Sequence, residues 1–193
     1  LGVQPWCDGN VGMQGNSYLA LVQLQAAPKR SKYLKALIPR VGYSNTYHNW
    51  AYTGGAFQLG FNLRWAAIQM HTRTMQRQYL WFPGGNHLSD LHWHLPLRTM
   101  DEAAGRDNGI WKDWVDHPSY DEYWKSMQPV EECYAEIEVP IYGMGGWFDV
   151  FLQGTLNNFM GVKADGREPG KSNQKVIFPQ YSLYMRPVIL GNQ

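Results

Sequence analysis

The stretch Gly15-Asn16-Ser17-Tyr18-Leu19-Ala20 places a serine two residues after a glycine and directly before a helix-forming run. A serine displayed on a sharp strand-to-helix turn needs small neighbours, because the strand and the helix crowd together there. Val11-Gly12-Met13 predicts the strand, and the run from Tyr18 to Ala27 predicts the helix, with Pro28 as its end. The free N–H groups at the start of such a helix favour an oxyanion. Ser17 is therefore a candidate nucleophile, and simple helix capping is the alternative.

A second stretch, VPIYGMGGWFD (residues 139–149), reads as a strand that ends in glycines and an aspartate. A helical run from Val150 to Val162 follows it. Open α/β sheets keep their chemistry at the carboxyl ends of their strands. In a Ser-His-Asp triad the acid orients the imidazole and stabilises its protonated form. Asp149 is therefore either a triad acid or the cap of its helix.

Three runs occur in one order along the chain: WCDGNVGMQGNSYLALVQLQAA (6–27), VDHPSYDEYW (115–124) and VPIYGMGGWFDVF (139–151). Together they resemble the cocaine esterase and X-Pro dipeptidyl-peptidase family of serine hydrolases, and its α-amino-acid ester hydrolase relatives. The resemblance implies an α/β fold, namely a partial α/β-hydrolase core with an inserted, mainly helical cap. It also implies an acyl-enzyme reaction on an ester or amide bond.

The same resemblance assigns roles to residues. Ser17 is expected to be the nucleophile, the backbone N–H of Tyr18 an oxyanion donor, and Asp149 the triad acid. Ala20 stands where the family's elbow has its last glycine, a change between two small residues.

The expected domain organisation follows from these assignments. Residues 1–47 are predicted to form the first part of the hydrolase core with the nucleophile elbow. Residues 48–133 are predicted to form the helical cap, and residues 134–178 the second part of the core with the acid strand. Residues 179–193 are predicted to be a divergent tail.

Aromatic residues are frequent in the chain, and they fill cores as readily as they line apolar pockets. Four of them are predicted to line a substrate pocket for an acyl or ring group: Tyr47, Trp50, Tyr52 and Trp147.

One triad member is missing from the sequence as it stands. Family members carry the catalytic histidine in a Gly-Pro-Trp-x-His-like motif after the last core strand, whereas this chain reads KVIF (175–178) and then PQYSLYM, with no histidine after His117. The chain also opens at Leu1, after the point where the family places further strands and an oxyanion-hole tyrosine. We therefore expect a fragment that is inactive by itself, from a truncated gene or a shifted reading frame. The alternative is a catalytically dead relative that binds acyl or aromatic ligands.

Composition limits the partners. The net charge of +1 leaves no basic excess for nucleic acid, and no apolar run approaches the roughly 18 to 20 residues of a membrane span. A small-molecule ester or a short peptide is the expected substrate, with no cofactor, and a homo-oligomer and the cellular compartment are left open. One polar cluster could instead form a zinc site, but surface polar groups are the preferred interpretation and no metal is expected. Its members are His87, Asp90, His92 and His94.

Overall fold

The computed structural model describes residues 1–72, 87–105 and 107–179. They belong to two compact units, one made of residues 1–49 together with the chain from 127 onward, and one made of residues 50–126. The predicted domain boundaries, including 48 and 133 for the inserted segment, stay predictions. Apart from Pro179, the predicted tail lies outside the described residues.

The described residues form seven α-helices and six β-strands. In chain order they are β1 (Val11–Asn16), α1 (Tyr18–Ala26), β2 (Leu34–Arg40), β3 (Tyr52–Thr53), β4 (Ala56–Phe57), α2 (Leu59–Thr72), α3 (Leu88–Leu91), α4 (Met100–Ala103), α5 (Gly109–Asp116), α6 (Glu122–Ser126), β5 (Tyr142–Met144), α7 (Leu152–Asp165) and β6 (Lys175–Ile177).

The first unit contains a parallel sheet of four strands in the order β1-β2-β5-β6. Its helices, α1 and α7, each follow one strand and precede the next along the chain. This arrangement confirms the predicted α/β class. Because all four strands are parallel, their carboxyl ends lie at one edge of the sheet, which we call the carboxyl edge.

Local sequence explains most element boundaries in this unit. β1 runs three residues beyond the predicted Val11–Met13 because Gln14, Gly15 and Asn16 continue the pairing with β2. Pro28 does not end helical structure at once, since a 3₁₀ turn, Ala27–Lys29, continues from α1. Proline is compatible with the first turn of a helix, where its missing N–H has no partner to lose.

The second unit is mainly helical and has its own apolar core. Leu63 and Met100 are fully buried in it together with Trp111. Beside them is an aromatic cluster, in which the ring of Trp50 meets those of Trp65 and Trp114 at centroid distances of 5.0 and 5.6 Å. Within the described residues no helix is both long and apolar enough to cross a membrane.

Candidate active site

Ser17 occupies the junction between β1 and α1 in a strained backbone conformation. Its φ of 57° and ψ of −123° lie in a region that residues other than glycine rarely adopt. Its N–H donates to the Arg40 carbonyl at 2.9 Å, so the turn is tied to the end of β2. The Ser17 side chain makes no capping hydrogen bond to α1. The hydroxyl is thus not used for capping, which was the alternative interpretation of this serine.

Small residues allow the turn to be this sharp. A Cβ atom on Gly15 would lie 2.6 Å from the Leu19 Cβ, closer than real carbon atoms approach. Ala20 is fully buried, and a Cβ on Gly42 would lie 3.0 Å from the Ala20 Cβ. The extra methyl group of Ala20, relative to the family's glycine, therefore faces a glycine on the segment after β2.

Tyr18 is the first residue of α1. The N–H groups of the first helical turn have no carbonyl partner within the helix, and the helix dipole adds positive potential there. The Tyr18 side chain is exposed. Its backbone N–H is therefore positioned next to Ser17 as a potential donor to an oxyanion.

Asp149 lies in the loop between β5 and α7, beyond the carboxyl end of β5. Its Oδ1 accepts a hydrogen bond from the Phe151 N–H at 2.8 Å, while α7 itself begins at Leu152 with Phe151 as its N-cap. The aspartate therefore stabilises the turn before the helix. Among the described residues, its Oδ2 accepts no hydrogen bond.

The sheet topology brings the serine and the aspartate to the same edge. Ser17 follows β1 and Asp149 is in the loop after β5, with only β2 between these two strands. Neighbouring strands lie about 4.8 Å apart, so β1 and β5 are about 10 Å apart. Two polar groups with uncommitted hydrogen-bonding capacity thus share the carboxyl edge of one sheet.

The loop after β5, which carries Asp149, is held against the chain that follows β6. The Gly145 N–H donates to the Ile177 carbonyl at 3.0 Å, and the Trp147 N–H donates to the Pro179 carbonyl at 3.2 Å. The rings of Trp147 and Phe178 pack at 5.2 Å. A residue that follows β6 is therefore close to the aspartate loop.

A polar network, which we call the Ser44 network, fixes α7 to the segment after β2. The Asn49 Oδ1 accepts from the N–H of Ser44 at 3.2 Å, from the N–H of Asn45 at 3.1 Å and from the Ser44 hydroxyl. The Ser44 hydroxyl also contacts Glu131, whose Oε1 accepts from the Asn157 amide of α7 at 2.8 Å. Residues that are far apart in the sequence thus support the helix that follows Asp149.

The four predicted pocket residues lie in different environments. Trp147 is 56% exposed and follows β5 at the carboxyl edge. The other three are buried: Tyr47 belongs to the first unit, whereas Trp50 and Tyr52 belong to the second. The Tyr52 hydroxyl donates to the Trp114 carbonyl at 2.9 Å. A pocket built by all four remains a prediction.

The histidine-rich segment of the second unit is used for local structure. His87 accepts from the Ser89 N–H in the cap of α3. The rings of His92 and His94 contact the Leu88 carbonyl at 2.8 Å and the Thr99 hydroxyl at 2.9 Å. Among the described residues no group of three or more His, Cys, Asp or Glu side chains is arranged to hold a metal ion.

His117 also has a partner within the second unit. Its Nδ1 lies 2.7 Å from the Asp121 Oδ2, and its ring stacks on Tyr123 at 4.4 Å. The hydrogen bond from His117 holds the pKa of Asp121 below its usual range.

Known proteins place this architecture in a family. The family described as X-Pro dipeptidyl-peptidase (S15 family) matches residues 1–182. The chain belongs to the S15 family. The resemblance read from the three sequence runs is thereby confirmed.

Individual proteins resemble the chain over most of its length. Cocaine esterase from Rhodococcus sp. (strain MB1 Bresler) is 31% identical over 177 residues, which cover 85% of this chain and 31% of the esterase. The crystal structure of an aminopeptidase from a marine sediment archaeon, Thaumarchaeota archaeon, aligns with a TM-score of 0.69 at 23% identity and covers 93% of this chain and 30% of that one. An α-amino acid ester hydrolase aligns with a TM-score of 0.67 at 19% identity, over 91% of this chain and 28% of that one.

These relatives support a partial α/β-hydrolase fold for the S15 chain. The chain spans less than a third of the length of the cocaine esterase, the aminopeptidase and the α-amino acid ester hydrolase.

Sequence reasoning did not identify two polar residues beside the elbow. Asn16 and Arg40 are partners in the register of β1 and β2, at the carboxyl edge. The sequence signal that could have identified Arg40 is its position as a basic residue directly after the apolar run Leu37 to Pro39 of β2. Its neighbour could be identified only once the strand register was known.

Proposed function

We propose that this S15 chain carries the nucleophile and the acid of a serine hydrolase that cleaves ester or amide bonds. Ser17 attacks the carbonyl carbon of the substrate, and the Tyr18 N–H donates a hydrogen bond to the oxyanion that forms. The leaving group departs, and water hydrolyses the acyl-enzyme. Asp149 orients a histidine that removes the proton from the serine hydroxyl and returns it to the leaving group.

The observation that carries this proposal is the strained backbone of Ser17. A conformation with φ of 57° and ψ of −123° costs free energy, and here no capping hydrogen bond of the serine side chain compensates for it. Such strain is typical of a nucleophile displayed on a strand-to-helix turn. The position of Asp149 beyond β5 on the same sheet edge supports the same interpretation.

The proposal includes the histidine that these residues do not supply. No histidine follows His117 in the sequence, whereas the backbone after β6 lies beside the Asp149 loop. A serine hydroxyl without a general base is a poor nucleophile near neutral pH. We therefore expect the 193 residues alone to be inactive, and a chain with a Gly-Pro-Trp-x-His-like segment after Phe178 to be active.

A fluorophosphonate probe tests this function. In the chain with the restored segment, the probe should label Ser17, and Ser17→Ala should abolish labelling. The exposed Ser31 provides a matched control, because Ser31→Ala should leave labelling unchanged. Absence of labelling in a folded, restored chain would disprove the nucleophile assignment. Labelling of Ser17 in the 193 residues alone would disprove the need for the added histidine.

The absence of a histidine after His117 favours a second candidate function, namely binding of acyl or aromatic ligands without turnover. In that case tryptophan fluorescence of the chain should respond saturably to an aromatic ester that is recovered intact. A restored chain that turns over the same ester would argue against this candidate.

A further inference from the structure

Arg40 and Asn16 form an unusual pair of polar side chains at the carboxyl edge. They face each other as register partners on β2 and β1, and Ser17 follows Asn16 directly. The Arg40 Nε and the Asn16 Oδ1 are both shielded from solvent, and neither has a hydrogen-bond partner. Within the described residues, neither side chain makes any hydrogen bond or ion pair.

The orientation of the two side chains follows from the pleat of the sheet. The Cβ position of Gly15 points toward Leu19 and Gln23 of α1. Successive residues of a strand point to opposite faces, so Asn16 and its register partner Arg40 share the face away from α1. On the other side of Arg40, its register partner on β5 is Met144. Arg40 thus lies between an amide and an apolar side chain.

The Nε–H of the Arg40 guanidinium is a buried donor without a hydrogen-bond partner. Shielding a charged donor from water without a hydrogen bond is costly, and an arginine presents its Nε–H and a neighbouring N–H as a fork that matches a carboxylate. Rotation of the Asn16 amide by half a turn would add an N–H donor on the same side. The pair is therefore suited to an anion with two oxygens in one plane.

From these observations we infer that Arg40 and Asn16 bind a carboxylate group of the substrate beside Ser17. The inference of a binding site depends only on the geometry of Arg40 and Asn16. Its role in substrate choice rests on the proposed hydrolase function. The predicted substrates are esters or peptides that carry a free carboxylate, and their uncharged analogues should bind more weakly.

Binding can be measured on the 193-residue chain itself, since it requires no catalysis. The probe is monomethyl succinate, which has one ester and one carboxylate, and the uncharged comparison is dimethyl succinate. The Arg40 Nε–H resonance in ¹⁵N NMR should shift saturably with the monoester and remain unchanged with the diester. Arg40→Gln should weaken monoester binding about tenfold or more, because a charge-assisted bidentate contact is lost.

Two further variants separate charge from geometry. Arg30 is exposed in the same unit, so Arg30→Gln makes the same change in net charge and should leave binding unchanged. Arg40→Lys keeps the positive charge but lacks the two adjacent N–H donors of the guanidinium, so it should bind monomethyl succinate less tightly than the wild type. This variant tests the inference even if Arg40→Gln does not fold.

Three results would overturn the inference. The first is equal affinity for the monoester and the diester, and the second is unchanged binding in Arg40→Gln. The third is an Arg40 Nε–H that exchanges slowly with solvent and does not shift with either probe, because a carboxylate of the polypeptide is already bound to it. Ser17→Ala should bind the monoester as the wild type does. Failure of fluorophosphonate labelling would therefore remove the hydrolase proposal without affecting this site.

Discussion

Gly15 is the residue on which the geometry of the elbow depends. Replacing it with alanine places a Cβ 2.6 Å from the Leu19 Cβ and 3.3 Å from the Leu19 carbonyl oxygen, so the strand or the helix must move. We expect Gly15→Ala to lower the free energy of unfolding by about 1 to 3 kcal/mol, the usual cost of overpacking. Urea denaturation monitored by circular dichroism measures this change.

Gly60 provides the matched control for that substitution. It lies in α2, and a Cβ at this position would meet nothing within 4 Å. Gly60→Ala should therefore leave stability unchanged or raise it by less than about 1 kcal/mol, because alanine restricts the unfolded chain. Equal effects of the two substitutions would show that strand and helix do not approach as closely as described.

At this scale, the sequence predicts a residue when its environment is local. The crowding around Ser17 could be predicted because Gly15, Leu19 and Ala20 are its near neighbours in the chain. The pairing of Asn16 with Arg40 could not, since it depends on the register between two strands.

Helix α7 packs closely against the segment after β2. The Asn49 Oδ1, which accepts two backbone N–H groups after β2, would lie 3.0 Å from a Cβ on Gly154 of α7. Asn49→Ala leaves these N–H groups buried without a partner. The expected loss is about 2 to 4 kcal/mol, and hydrogen exchange of the Ser44 and Asn45 amides should accelerate accordingly.

Asn173→Ala is the control for that experiment. The Asn173 amide donates to the Pro169 carbonyl at 2.8 Å, but the residue is exposed. Its replacement should change stability by no more than about 0.5 kcal/mol. Unchanged exchange at Ser44 and Asn45 in Asn49→Ala would contradict the Ser44 network.

Elements were predicted well where one apolar run coincides with one strand or helix. β2 coincides with the run LKALIP (34–39) and ends one residue later, at Arg40. β6 was expected at Lys175 to Phe178 and ends at Ile177. By contrast, the Ser44 network could not be predicted, because Ser44 and Glu131 are 87 residues apart in the sequence.

For the whole molecule, local patterns predicted single strands and helices, such as those before and after Ser17, and the α/β class came from the family resemblance. The division into a sheet-containing unit and an inserted helical unit also came from the family resemblance. The reason is physical. An inserted segment such as residues 50–126 leaves and re-enters the first unit at points far apart in sequence, and no local periodicity encodes their proximity.

Buried tyrosines give the first unit a pH dependence that can be measured. Burial raises the pKa of Tyr43 and of Tyr134 above the ordinary value, with Tyr18 and Glu131 respectively as the next contributions. Below about pH 9 both states of the protein keep these hydroxyls protonated, so stability is unaffected. Above about pH 10 the unfolded chain loses the protons first, and stability decreases as pH rises toward the folded pKa values.

Each buried tyrosine should therefore contribute a slope of about 1.4 kcal/mol per pH unit to the loss of stability above pH 10. Urea denaturation at a series of alkaline pH values measures this slope. Tyr134→Phe removes one ionisable group and should reduce it by that amount, although the bond from its hydroxyl to the Asn158 Oδ1 at 3.2 Å is lost at every pH. If Tyr134→Phe had the same slope as the wild type, the burial of this hydroxyl in the first unit would be wrong.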